Sequence, residues 1–175
     1  MSIRQKRIAD DYNQLRTLHK KGVIKQVKAF PGGPKTVEHL AITFEGPKKT
    51  PYEKGIFKLE VKYGKNYPYQ PPFVRMHTPV FHPNFWLNPS EYPGKRNICL
   101  ALVDQELVGK PGGWSPTKNI STVVQSIIAM LNTEGAFFNP TDVFNKKAAI
   151  MFMRDKKAFE KKAKEINKKY AKDGW

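Results

Sequence analysis

The sequence predicts an α+β fold in which one helix precedes a small antiparallel sheet and further helices follow. Apolar residues near the start of the chain recur at helical spacing. Several short segments then alternate apolar with polar residues, and the turns between them are too short for parallel connections. Amphipathic helical patterns return in the last third. At 175 residues the chain can bury a substantial core, and we expect one domain over residues 1–175.

The first helix is predicted from Ser2 to about His19. Ser2 and Gln5 have the spacing of a capping box, in which the serine oxygen accepts from a backbone amide and the glutamine reaches back. Gly22 follows and favours the end of the helix. One face of the helix carries Ile8, Tyr12, Leu15 and either Leu18 or His19.

The sheet is predicted as a four-stranded antiparallel meander. Its first strand covers residues 23–30, and a less regular fourth strand is expected within residues 73–78. The two strands between them alternate with period two, which is typical of strands with one covered face. Their inward-facing residues are Leu40, Ile42 and Phe44, then Phe57, Leu59, Val61 and Tyr63.

Long loops are predicted for residues 78–114, and helices follow them. The central helix covers residues 119–131, with Asn119 as its N-cap. The next helix is expected to begin within residues 139–142. The last helix places Phe159, Ala163, Ile166 and Tyr170 on one face.

The formal charge of +16 limits the choice of partners. Residues 146–172 hold eleven Lys or Arg against three acids, which fits a solvated helix face or a surface for an acidic protein. Specific nucleic-acid binding is not favoured, because no stacking aromatics are interleaved with these lysines. No apolar run, leader or apolar C-terminal tail suggests a membrane. With a single cysteine, we expect a reducing, cytoplasmic setting.

The single cysteine, Cys99, is either an inert core residue or a reactive thiol. Prolines and glycines dominate the chain before it, and irregular loops of this kind often carry catalytic groups. Lys95 and Arg96 precede it and would favour the thiolate. The best candidate for a neighbouring base is His82. The four histidines show no metal-ligand spacing, so no metal site is expected.

Five segments resemble ubiquitin-conjugating enzymes, in the same order and over nearly the whole chain. The resemblance implies the UBC fold, with an N-terminal helix, a four-stranded antiparallel meander, a central helix and two C-terminal helices. The segments are Gly46 with residues 50–57, residues 67–72, His82-Pro83-Asn84 with residues 97–100, residues 114–123, and residues 159–171.

The resemblance implies that Cys99 receives ubiquitin or a ubiquitin-like modifier from an activating enzyme as a thioester. A substrate lysine then takes the modifier, usually with a RING-type ligase. A thiolate suits this chemistry because it is both a strong nucleophile and a good leaving group. ATP is used by the activating enzyme, so no cofactor is expected in this chain.

Three further residues take implied roles around Cys99. Asn84 either donates to the oxyanion of the transfer reaction or orders the loop. His82 braces that loop or, alternatively, acts as a base. Members of the family place an acid after the central helix, but the usual pair of aspartates is missing. Within residues 132–138 Glu134 is the only acid, and it is either catalytic or a solvated loop carboxylate.

The ligase and activating-enzyme surface is implied on the first helix and two loops. Tyr69 is either part of this surface or a packed loop aromatic, and the bond before Pro68 is a candidate cis peptide. Two insertions, at about 85–95 and 104–112, could shield the thioester, select the modifier or be plain loops. The residues of the implied surface are Arg4, Lys6, Arg7, Tyr69 and Pro116.

Two other functions compete with the enzyme. One is a non-catalytic UBC-fold module that only binds modifier or a partner. Such variants lack the cysteine, whereas this chain keeps Cys99 together with Asn84. The other is a basic nucleic-acid-binding protein, which predicts a strongly salt-dependent affinity for DNA or RNA.

Overall fold

Along the described residues, one α-helix, a four-stranded sheet and three further α-helices follow one another, with three short 3-10 turns between the sheet and the second α-helix. The structure is a computed structural model, and it describes residues 1–91, 93–135, 138–139, 141 and 143–175. The order of elements confirms the predicted α+β class. The helices are α1 (Ile3–Lys20), α2 (Ile120–Met130), α3 (Lys146–Arg154) and α4 (Lys156–Tyr170). The strands are β1 (Gln26–Ala29), β2 (His39–Glu45), β3 (Ile56–Lys62) and β4 (Phe73–Met76).

Helix α1 has the cap that its sequence predicts. Ser2 and Gln5 form both bonds of the capping box. Leu18 is buried and His19 is exposed, so Leu18 completes the apolar face. Gly22 then takes φ +74°, a left-handed conformation that glycine adopts at little cost and that ends the helix.

The sheet has the order β1-β2-β3-β4 with antiparallel neighbours, which confirms the meander. β1 is shorter than the predicted strand at residues 23–30. The reason is that the amides of Val23 and Ile24 both donate to the carbonyl oxygen of Leu18 and so close the end of α1. β4 confirms the fourth strand, over the first four residues of the predicted segment.

Helix α3 begins later than residues 139–142, where the sequence placed its start. Of that segment, Pro140 and Asp142 lie outside the described residues. The N-cap is Asn145, whose side chain accepts from the helix, and whose own amide donates to the carbonyl oxygen of Pro83 at 2.9 Å. The residue before α3 is therefore held against the loop that carries Pro83, and the helix starts only after this contact.

Helix α2 packs an apolar face into the core. Its N-cap is Asn119, as predicted, and the Asn119 side chain accepts from the amide of Thr122. Ile120, Val124 and Ile127 are fully buried and belong to the same apolar cluster as the inner face of the sheet. The last carbonyl groups of such a helix have no partner within it, so they can bind side chains from a neighbouring loop.

Candidate active site

Cys99 lies opposite Asn84 in a short two-stranded segment. The backbone amide of Cys99 donates to the carbonyl oxygen of Asn84 at 2.8 Å. The next pair, Phe85 and Ile98, forms an antiparallel bridge, and both residues are fully buried. Cys99 itself is half-buried. Burial of the bridge therefore fixes the backbone at the cysteine, and it brings two of the predicted site residues together as cross-strand neighbours.

Asn97 holds this segment to the sheet. Its buried side chain accepts from the amide of Met76 at 2.9 Å and donates to the carbonyl oxygen of Met76 at 2.7 Å. Met76 is the last residue of β4. The Asn97 carbonyl oxygen also accepts from the amide of Trp86 at 3.1 Å. The rigid edge of the sheet is thus connected to a residue two positions before Cys99.

His82 connects the same loop to α2. Its Nε2 donates to the carbonyl oxygen of Met130, the last residue of α2, at 2.8 Å, and its Nδ1 accepts from the amide of Asn84 at 3.0 Å. These partners require the neutral tautomer with its hydrogen on Nε2. Burial lowers the pKa of His82 to about 3, although the bond to Met130 acts in the opposite direction. The ring is packed against Tyr52, Phe85 and Phe138.

The buried side chain of Asn84 bonds the backbone of Asn139 twice. Nδ2 donates to the carbonyl oxygen of Asn139 at 2.7 Å, and the Asn139 amide donates to Oδ1 at 3.2 Å. The adjacent carbonyl oxygen of Pro83 accepts from the amides of Phe144 and Asn145, both at 2.9 Å. These bonds bring described parts of the segment before α3 beside the cysteine loop, which fits a loop-ordering role for Asn84.

The described contacts of Glu134 are with Lys156 and Asn132. Its carboxylate lies 3.0 Å from Nζ of Lys156 at the start of α4, and the side chain is 77% exposed. Its amide donates to the side chain of Asn132. These contacts fit the solvated loop carboxylate better than a catalytic base.

Arg96 pairs with an acid of the second insertion. Its Nη2 lies 3.0 Å from Oδ2 of Asp104, and its Nη1 donates to the carbonyl oxygen of Ile98 at 3.3 Å. The guanidinium carbon is 5.5 Å from the ring centre of Phe144. Arg96 is thus engaged by Asp104 and by the backbone of Ile98, the residue before Cys99.

Both insertions pack on the protein. Leu87 in the first and Val108 in the second lie against the apolar core. The buried guanidinium of Arg75 donates to the carbonyl oxygen of Pro89. Tyr92 of the first insertion lies outside the described residues. The first insertion is therefore anchored to β4 by Arg75, and each insertion contacts the apolar core.

The residues of the implied ligase surface lie where α1 meets two loops. Arg7 donates to the carbonyl oxygen of Pro116 at 2.6 Å. The indole of Trp114 donates to the carbonyl oxygen of Pro68 at 2.7 Å, and the peptide bond before Pro68 is cis, as expected. Tyr69 follows and is 63% exposed. The structure therefore places Arg7, Tyr69 and Pro116 on neighbouring segments.

Arg4 and Lys6 differ from each other in their surroundings. Arg4 forms a two-pronged pair with Glu38, at 3.0 and 2.9 Å, and also donates to the carbonyl oxygens of Tyr63 and Gly64. The bond from Arg4 lowers the pKa of the Glu38 carboxyl. Lys6 is exposed. Arg4 thus joins α1 to the ends of the strands, whereas Lys6 faces solvent.

Asp11 is a buried carboxylate of this region that the sequence reasoning missed. It accepts from the hydroxyl of Tyr67, and Arg7 lies one helical turn before it at 3.8 Å. Burial raises the pKa of Asp11, while the Tyr67 hydroxyl and Arg7 act in the opposite direction. Its position between Ile8 and Leu15, on the apolar face of α1, was the available signal.

The other histidines also act through hydrogen bonds. His39 and His77 each bond one carboxylate oxygen of Glu60 at 2.7 Å. Within the described part of the chain, no group of three or more His, Cys, Asp or Glu side chains is arranged to hold a metal ion.

None of the helices described is long and apolar enough for a membrane crossing.

Comparisons with known proteins agree with this architecture. A family model described as ubiquitin-conjugating enzyme matches residues 7–167. Over 136 residues the chain is 34% identical to ubiquitin-conjugating enzyme E2-24 kDa of Saccharomyces cerevisiae, covering 78% of this chain and 55% of that protein. Over 135 residues it is 36% identical to ubiquitin-conjugating enzyme E2 T of Homo sapiens, covering 77% and 61%.

A solved structure shows the same fold. It is the E2 domain of a Toxoplasma gondii ubiquitin conjugating enzyme, with a TM-score of 0.73 and 27% identity, covering 96% of this chain and 99% of that chain. The chain therefore belongs to the ubiquitin-conjugating enzyme family, and the predicted UBC fold is confirmed. It spans between 55% and 65% of the length of the first curated relatives that it matches.

Proposed function

We propose that this chain carries ubiquitin or a ubiquitin-like modifier as a thioester on Cys99 and transfers it to a lysine amine. The observation that carries the proposal is the fixed pairing of the half-buried Cys99 with Asn84. Irregular loops surround this pair, but side-chain bonds from Asn97 and His82 tie them to β4 and α2. The related proteins are named ubiquitin-conjugating enzymes, which supports the same chemistry here.

Loading begins with attack of the Cys99 sulfur on the carbonyl carbon of the modifier's C-terminal glycine, held by the activating enzyme as a thioester. A new sulfur–carbon bond forms and the thiolate of the activating enzyme leaves. The Cys99 proton passes to solvent or to the activating enzyme. His82 is not the acceptor in this scheme, because its nitrogens bond Met130 and Asn84 and burial keeps its pKa near 3.

Discharge begins when a neutral lysine amine attacks the thioester carbonyl. The resulting tetrahedral oxyanion collapses, the carbon–sulfur bond breaks, Cys99 leaves as thiolate, and the new amide loses a proton. The bonds from Asn84 to Asn139 support a role in ordering the loop beside this reaction. An oxyanion role requires a side-chain N–H of Asn84 to face the thioester carbonyl. The exposure and ion pair of Glu134 support the loop carboxylate.

The partners that we propose are the activating enzyme and a RING-type ligase, both meeting the start of α1. Tyr69 and Lys6 supply exposed side chains there, and Arg7 fixes α1 to the loop at Pro116. Arg4 contributes mainly by fixing α1 to the sheet. The setting proposed for this chemistry is the cytoplasm.

A charging assay tests the proposal. The protein is incubated with an activating enzyme, ATP and ubiquitin, and then with other ubiquitin-like modifiers, and gels are run with and without thiol reductant. We expect a reductant-sensitive adduct that Cys99→Ser abolishes. Lys35→Ala, on an exposed turn, serves as the control and should charge normally. If the folded protein is never charged but still binds modifier, the non-catalytic binding module is the better assignment.

A further inference from the structure

Helix α3 exposes two large apolar side chains that the transfer chemistry does not use. Ile150 is 47% exposed and Met153 is 60% exposed. They are three residues apart on a helix, so they share one face. Beside them an open groove of about 540 Å³ runs between α3 and the start of α4. The groove is lined by Lys147, Ile150, Met151, Arg154, Asp155 and Ala158.

The floor of this groove is apolar and its rim is basic. Ile150, Met151 and Ala158 supply apolar atoms, and the alkyl stems of Lys147 and Arg154 extend the apolar surface while their charges reach water. The positive charges on this rim belong to Lys147 and Arg154.

One acid lies among these positive charges. Asp155 is the N-cap of α4 and accepts from the amide of Ala158 at 3.0 Å, so its carboxylate is already engaged. Two positive charges and one carboxylate therefore line the groove, so the rim keeps a positive surplus within a chain whose net charge is +16.

We propose that this groove docks an acidic amphipathic helix of a partner protein. The apolar side of such a helix fits beside Ile150 and Met153, and its carboxylates meet Lys147 and Arg154. Docking of a short helix into an apolar groove is a recurring mode of peptide recognition. The rim charges select an acidic partner and accelerate its approach. The proposal does not depend on the chemistry at Cys99.

The same observations disfavour other occupants. A second copy of this chain brings +16 charges of its own and is repelled. Binding of single-stranded nucleic acid uses exposed aromatic rings for stacking. Phe152 of α3 instead packs against Phe138 and Phe159, with ring centres 4.7 and 5.2 Å apart. A membrane surface calls for a broad protruding apolar face. Here the apolar surface is a groove beside two projecting side chains.

The probe is a labelled synthetic peptide of about 18 residues, or five helical turns, with Leu on one face and Glu on the other. Its binding to the full chain is followed by fluorescence anisotropy. A peptide of the same composition with the Leu positions scrambled is the first control. Vesicles containing anionic phosphatidylserine, tested by flotation, are the second.

Two pairs of variants separate apolar contact from charge. Ile150→Ser removes an apolar contact, and Val37→Ser is its matched control, because Val37 is also exposed but lies before β2. Lys147→Glu reverses a rim charge, and Lys35→Glu is its control on an exposed turn. All four substitutions change exposed positions, so circular dichroism should show an unchanged fold.

We expect the patterned peptide to bind, and Ile150→Ser to weaken it by about tenfold, the usual consequence of losing one buried apolar side chain. Lys147→Glu should weaken peptide binding more at low salt than at high salt. Both control variants should bind as the parent protein does. Equal binding of the scrambled peptide, binding to vesicles alone, or no binding at all would each overturn the proposal.

Discussion

Replacing His82 by glutamine distinguishes a structural brace from a catalytic base. Burial lowers the pKa of His82 from the usual 6.5 to about 3. Between these two pH values the unfolded chain binds a proton that the folded chain does not, so the free energy of unfolding rises with pH there. Relative to pH 7.5, protonation of the unfolded chain at pH 5 costs RT ln(1 + 10^1.5), or about 2 kcal/mol of stability.

The size of this effect depends on the pKa in the unfolded chain, provided that the folded-state pKa lies well below 5. A glutamine side chain can donate to the carbonyl oxygen of Met130 and accept from the amide of Asn84, as His82 does, but it does not titrate. Urea unfolding, followed by tryptophan fluorescence at pH 7.5 and pH 5, measures both proteins. The stability difference between them should shift by about 2 kcal/mol in favour of glutamine at pH 5. An unchanged difference would refute the buried neutral ring.

The activity of the same variant completes the test. A brace predicts that the His82→Gln protein charges and discharges within a few-fold of the parent rate, with the same pH profile. A general base predicts a loss of about 10²- to 10⁴-fold and removal of a titration from the profile. A loss of that size in a variant of unchanged stability would show that His82 acts as a base, despite its bonds to Met130 and Asn84.

Three further substitutions address the residues around it. Asn84→Ala should leave charging of Cys99 intact but speed hydrogen exchange at the amide of residue 139; unchanged exchange would argue against loop ordering. Asn97→Ala leaves two buried backbone groups of β4 without this partner and should cost about 1–3 kcal/mol in urea unfolding, whereas a near-zero cost would contradict the anchoring role. Glu134→Gln should change single-turnover discharge to free lysine by less than about twofold, because an exposed ion pair contributes little. A tenfold slower discharge with normal charging would reinstate it as a catalytic group.

Local signals in the sequence were sufficient for most of the fold. The capping box at Ser2 depends on residues three apart, and the alternation in β2 and β3 depends on neighbours, so both could be read from short segments. The start of α3 could not be predicted from such short segments. Residues 139–142 have the composition of a helix start, but the carbonyl oxygen of Pro83 binds Asn145 and helix begins only beyond it. That contact joins positions more than fifty residues apart.

The features of the site also divide into those visible in local motifs and those that depend on distant contacts. Cys99, Asn84 and His82 were predicted as site residues because they belong to recognisable motifs. The anchoring by Asn97 was missed because its partner, Met76, is 21 residues away and is an ordinary backbone group. The partner of Asn84, residue 139, is 55 residues away and is also backbone. Backbone groups look the same at every position of a sequence, so contacts to them are visible only in three dimensions.

These backbone contacts explain how an irregular loop can hold the sulfur of Cys99 steady. In the proposed function the cysteine is reached by two different partners, so it cannot be sealed inside a sheet or a helix. Irregular loops near the core leave backbone amides and carbonyls that need partners. Here His82 and Asn97 supply partners to α2 and β4, and Asn84 does the same for residue 139. The bonds of His82 and Asn97 are buried, that of Asn84 is partly buried, and all three restrain the chain near Cys99. We therefore expect substitutions at these three side chains to alter the cysteine loop more than substitutions within the insertions.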